Sequence, residues 1–144
     1  MVQSLMEQGM TFDEAIRKLD ETRTSVLERL GELRHGFIRY LESTIGFWGK
    51  VAFRMKIKCE EGYLVAAIES YKMQAYEMAI DYCNGSLSYN PDSARALSLR
   101  GFVQAVRIAP DYAVALADLE QAHKLEPENA LYHKMLEIVR SAVQ

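Results

Sequence analysis

Two stretches of this 144-residue chain share one pattern: Tyr76, Ala79, Cys83, Ser86 and Pro91 recur as Tyr112, Ala115, Leu119, Ala122 and Pro127. The matching prolines stand 36 residues apart (127 − 91). Each copy runs along one apolar helical face into a closing triplet, Tyr89-Asn90-Pro91 or Leu125-Glu126-Pro127. Self-similarity at this period marks a helix-turn-helix unit that cannot bury its apolar face alone and must stack on a neighbour. Stacked units of this kind make grooves, so the pattern points to binding before any catalytic residue is considered.

Glycine and proline punctuate the second half of the chain. Leu64, Val65, Ile68 and Tyr71 fall at helical spacing and predict a helix over Glu61 to Gln74, with a tight turn near Gln74-Ala75 and a second helix from Tyr76 to Ser88. Asn90-Pro91-Asp92-Ser93 is a stop followed by a fresh start, because proline disfavours helix at the residue before it and Asp or Ser caps the next helix. Further helices are expected over Ala94 to Val106, Tyr112 to Lys124 and Ala130 to Val143. Turns this short force antiparallel neighbours.

The first half is built differently. Phe12, Ile16, Leu19, Val26, Leu30, Leu33 and Phe37 form a stripe at three- and four-residue steps, broken only at Arg23. That spacing is coiled-coil-like, with charged residues opposite. Asp20 to Ser25 weakens it, so one long helix or two joined there both fit. Gly31 and Gly36 each cost about 1 kcal/mol of helix propensity against alanine, a cost that close packing by a neighbouring helix could offset. Thr44 to Gly49 reads as a break, and helix resumes from Lys50 to Lys58. No strand alternation of useful length occurs. The expectation is a single all-α domain over residues 1–144, with a long N-terminal helical segment (1–58), two repeats (61–127) and a capping helix (128–144).

Composition narrows function. Apolar residues make up 49% and charged residues 26%, which fits a folded globular chain and argues against disorder. A net charge of −3 is too small to advertise nucleic acid or an anionic membrane. The densest basic stretch, Arg54 to Lys58, alternates with apolar residues and reads as a helix flank. No apolar run approaches the roughly 20 residues a membrane span needs. The first ten residues lack a positive region followed by an apolar run, so no signal peptide is expected, and cytosol or nucleus is the default compartment. Cys59 and Cys83 then read as free or buried thiols.

No catalytic or metal-binding constellation stands out. His35, His123 and His133 occupy no metal-ligand spacing, there is no Cys-x-x-Cys, and the glycines form no phosphate-cradling loop. Cys59 sits beside Glu60 and Glu61, a poor setting for a nucleophilic thiol. Neither a cofactor nor an enzyme activity is expected.

The segment from Glu61 to Pro127, followed by a helix to Val143, resembles two tetratricopeptide repeats with their capping helix. Ala67 and Gly101 match the small residue that lets paired helices approach. Tyr76 and Tyr112 match the aromatic that opens the second helix, Ala79 and Ala115 the alanine after it. Ser86 and Ala122 match the next small position, and Pro91 and Pro127 the closing proline. The phrases Arg95 to Gly101 and Ala117 to Ala122 look most like the last repeats of co-chaperones, including the large immunophilins. Glu7 to Ile16 reads like the middle of a further, degenerate copy, and so abrupt a start would also fit a piece of a longer protein.

Two departures from the family matter. The second unit carries two extra residues between its helices, around Ile108 to Pro110, so that turn must bulge. In chaperone-binding members a cluster of Lys, Asn and Arg grips the C-terminal carboxylates of heat-shock chaperones. Here two basic clamp positions fall at Arg95 and Leu99, and the asparagine position falls at Val65. Leucine and valine offer no charge-assisted hydrogen bonds, so the resemblance implies the fold but not this ligand.

The register implied by the resemblance puts Val65, Ile68, Tyr71 and Lys72 on the concave face, joined by Arg95, Leu99, Phe102 and Val106. Such a face is mostly apolar and would not be left to water. Its cover could be the chain's own N-terminal helix, an amphipathic helix or apolar peptide from a protein partner, or a second copy in a homodimer. The leading expectation is an adaptor that captures a protein partner in this groove, in which case Phe102→Ala or Leu99→Glu would abolish capture and leave helicity intact. The alternative is a structural or oligomerisation module whose N-terminal helices fill the groove. Neither nucleic acid nor membrane insertion is expected.

Overall fold

A computed structural model describes residues 2–143, and among them it contains eight helices and no strand. They are α1 (Val2–Glu7), α2 (Phe12–Thr44), α3 (Phe47–Arg54), α4 (Glu60–Lys72), α5 (Tyr76–Tyr89), α6 (Ala94–Val106), α7 (Tyr112–Leu125) and α8 (Ala130–Val143). From α3 onward each helix packs on the next in a repeat-like array. α2 reaches furthest across the array and packs on α4, α6 and α8.

The repeat helices begin and end where local chemistry dictates. Cys59, Ser93 and Asp111 cap α4, α6 and α7, each side chain accepting from the backbone N–H three residues on. α4 closes through Gln74, at φ 61, where the Ala75 N–H reaches back to the Ser70 carbonyl at 2.9 Å. The α6–α7 turn is longer by the two residues the sequence inserts, with Arg107 extended and the Asp111 N–H returning to the Gln104 carbonyl at 3.1 Å. Helix pairing is close at Gly101, where a Cβ would stand 3.0 Å from both the Ala115 carbonyl oxygen and Leu119 Cγ. Ala67, at the corresponding position of the first unit, is fully buried.

α2 is one unbroken helix of 33 residues, so Asp20 to Ser25 does not divide it. A capping box starts it: Thr11 Oγ1 accepts from the Glu14 N–H, and Glu14 returns the bond to the Thr11 N–H, both at 3.2 Å. It stops where Ile45 turns extended ahead of Gly46. No neighbour approaches Gly31 or Gly36, and a Cβ at either would meet nothing within 4 Å. Among the described residues nothing supplies the close packing that could offset the propensity cost of the two glycines.

α3 differs from the sequence expectation at both ends. It begins at Phe47 rather than Lys50, because Gly46 is an extended N-cap whose N–H is held by Glu61 Oε2 at 3.3 Å. It ends at Arg54 rather than Lys58, because Lys56 adopts φ 57 and the Ile57 N–H turns back to the Ala52 carbonyl at 2.8 Å. A left-handed lysine is not a stop that composition announces.

Candidate functional site

The concave face of the repeats is not open. The second half of α2 lies in it, and its buried Val26, Leu30, Phe37, Ile38 and Leu41 join one hydrophobic core with Ile68, Tyr71, Leu99 and Phe102. The Phe37 and Phe102 rings are 5.2 Å apart, and Phe102 makes an edge contact with Tyr71 at 5.5 Å. Each such side chain contributes about 1.5–3 kcal/mol by leaving water, and the aromatic contacts add to that.

Eight residues were expected to line a partner groove, and the structure divides them. Ile68, Tyr71, Leu99 and Phe102 are buried beneath α2, so they are core residues and not a free binding surface. The physical reason is supply: the N-terminal stripe offers the same apolar length a partner helix would, already tethered. Val65 and Val106 are half-buried and packed at the edge of the core. The two charged residues are engaged as well. Lys72 Nζ donates to Glu42 of α2 at 2.7 Å, across a contact where both side chains stay substantially exposed.

Arg95 was expected at the groove rim as the one clamp position with its chemistry intact. Instead its guanidinium joins three helices. Nη1 donates to the Thr44 carbonyl and to Thr44 Oγ1, both at 3.2 Å, and Nη2 donates to Glu60 Oε2 at 2.8 Å. The carbonyl at the end of α2 would otherwise lack a partner, so Arg95 serves as its C-terminal cap. Glu60, in the first turn of α4, also accepts from Asn90 at 2.8 Å and from the Ser93 hydroxyl at 3.1 Å. Burial pushes the Glu60 carboxyl up, but the bonds from Asn90, Arg95 and Ser93 and the charge of Arg95 outweigh it, holding the group below its ordinary value.

A cleft of about 390 Å³ stays open where α2 passes the α4–α5 turn, lined by Arg34, Ile38, Arg39, Tyr71 and Lys72 among others. Burial raises the Tyr71 phenol to about 12, with nearby Arg34 opposing the shift. Elsewhere α6 and α7 are tied by a two-pronged pair in which Arg100 Nε and Nη2 donate to the Asp118 carboxylate at 2.8 and 2.7 Å, while Arg100 Nη1 donates to Asn84 of α5 at 2.9 Å. Beside it, burial drives the Cys83 thiol strongly upward, which makes it an inert packing group. Among the described residues no three His, Cys, Asp or Glu side chains converge as a metal site would require.

Sequence reasoning missed the α2 residues that seal the groove at its far end, Ile38, Leu41, Glu42 and Thr44. Leu41 stands four residues beyond Phe37 and extends the stripe, so the signal for it was present. The Glu60 junction had no such signal, because Thr44, Glu60 and the stretch from Asn90 to Arg95 are distant in sequence and only the fold unites them. The sequence matches no protein-family model and no curated protein.

Proposed function

We propose that this chain is a protein-interaction and scaffolding module of tetratricopeptide-repeat type whose groove holds an amphipathic helix in cis, that helix being α2. The observation that carries the reading is the seating of Phe37 between the repeats against Phe102, with Arg95 capping the end of the same helix. The recognition is helix-in-groove, read through apolar anchors at helical spacing. Tethering favours the internal ligand: a helix joined to the first groove helix, α4, through residues 45–59 alone competes at an effective concentration of about millimolar or above. A partner from outside must displace α2 before it binds, which favours scaffolding over capture of free peptides. Engagement of Arg95 with Glu60 and Thr44 also removes the charge a chaperone tail would need.

A labelled peptide of residues 26–44, titrated against the whole chain and against Phe37→Ala, tests this directly. The wild type is expected to ignore the peptide, and the variant, with its own α2 loosened, is expected to capture it. Equal capture by both would mean that the groove is open and that the chain is an adaptor for partners in trans. Light scattering separates cis occupancy from exchange of α2 between two copies.

A further inference from the structure

The inner face of α3 is anchored and its outer face is not. Gly49 and Ala52 are buried toward α4, and a Cβ on Gly49 would meet Glu61 Oε2 at 2.8 Å, so the helix is pressed close. Phe47 and Trp48 in its first turn and Met55 at its C-cap are turned out to solvent, with Val51 half-buried between them in sequence. Phe47 is 70% exposed, Trp48 78% and Met55 68%, and the two aromatic rings meet edge to face at 5.3 Å. These are among the most exposed large apolar side chains of the described residues, and the two rings adjoin one another.

Charge sets this segment apart as well. Lys50, Arg54, Lys56 and Lys58 give residues 47–58 a charge of +4 with no carboxylate, against −3 for the whole chain, so the remainder carries −7 (−3 − 4). On the α4 side Glu61 contacts Gly49 and pairs with Arg95 at 3.7 Å, while Glu42 and Glu69, which share a cleft with Lys50 and Arg54, are drawn to Lys72 at 2.7 and 3.7 Å. The stretch that reads as a helix flank in sequence is thus one part of a basic segment with a protruding aromatic edge.

We propose that the outer face of α3 is a peripheral docking site for an anionic lipid surface. Phe47, Trp48 and Met55 enter the headgroup–acyl boundary, and Lys50, Arg54, Lys56 and Lys58 meet the phosphates. A row of protruding side chains suits a deformable phase into which it can sink, whereas a protein partner would have to present a matching pocket. The uneven charge turns this face, and not the acidic remainder, toward the surface. Among the described residues no helix is long and apolar enough to cross a membrane, so the contact is interfacial and reversible.

Trp48 is the only tryptophan, so the unaltered protein reports on the site. Vesicles of phosphatidylcholine alone are compared with equimolar phosphatidylcholine and phosphatidylglycerol, reading Trp48 emission and co-sedimentation. A blue shift and sedimentation with the mixed vesicles only, reversed by salt, is the expected result. No response to either, or an equal response to both, overturns the proposal. Response to an acidic, aromatic-containing peptide but not to vesicles also overturns it and makes the face a protein site. Lys50→Gln with Arg54→Gln is expected to weaken partitioning roughly 30-fold, from about fivefold per basic residue removed at the surface, and Phe47→Ala to weaken it further. All three side chains are exposed, so circular dichroism should match wild type; unchanged binding by the folded variants would sink the idea.

Discussion

The two halves of α2 carry the same apolar stripe and meet different fates. From Val26 to Leu41 the stripe is sealed between repeats, whereas Phe12 and Ile16 at its start are exposed, with Ala15 the one buried residue of the first three turns. One helix, one periodicity and one cap serve both. What differs is opposition: Val26 to Leu41 join the core built with α4, α6 and α8, whereas Phe12 and Ile16 join no core. An amphipathic pattern therefore declares that a face exists, and the count of helices across from it decides whether the face becomes core.

The contrast can be broken most forcefully at its two ends. Phe37→Ala is expected to cost about 3–5 kcal/mol, because it opens a cavity against Phe102. Ile16→Ala is expected to stay within about 0.5 kcal/mol, as for other exposed substitutions. Urea melts of the two variants measure both values, and comparable losses would mean that the first half is buried in solution. The same logic revises the expectation for Phe102→Ala and Leu99→Glu: both positions are buried, so these changes should lower the melting temperature rather than leave the fold intact and remove a binding surface.

A smaller effect, roughly 2 kcal/mol, is expected for Glu60→Gln, which weakens charge-assisted hydrogen bonds from Arg95, Asn90 and Ser93. The sign with pH follows from the lowered Glu60 carboxyl. Its contribution is fully present above the unfolded carboxylate value of 4.5 and is lost as pH falls through the lower folded value. Acid melts of wild type and Glu60→Gln should thus converge below that window. Parallel curves would show that the junction does not anchor the end of α2.

The smallest change runs the other way. Gly31→Ala and Gly36→Ala fill open space on a helix, and each should raise stability by about 0.5–1 kcal/mol. A loss at either position would reveal a neighbour on the outer face of α2, such as a second copy.

Much of the fold was legible because its determinants are local. The bounds of α6 and α8 follow directly from Pro91, Ser93, Pro110 and Pro127 and the apolar spacing between them, and the α6–α7 bulge from two inserted residues. The groove-facing residues were also readable as a set. Their occupant was not, since Ile68, Tyr71, Leu99 and Phe102 look alike whether a partner or α2 covers them. Arg95 was misassigned for a related reason: a basic residue on a concave face advertises a ligand until the carbonyl end of another helix is found beside it. α3 shifted because its limits depend on the Glu61 contact to Gly46 and on a left-handed Lys56, neither of which is a local preference.

The reach of α2 across the array also sets an order of events. Repeat helices whose contacts are with the next one or two helices can assemble as they are made. α2 is synthesised before every surface it covers, and one of those surfaces belongs to α8. Its apolar stripe must therefore wait, uncovered, while about a hundred residues follow it, and the long loop so closed raises the contact order and slows the final step. During that interval a nascent chain presents a long sticky helix and an empty groove at once. Two such chains side by side can trade helices, and crowding of partly made copies is where this architecture is most vulnerable.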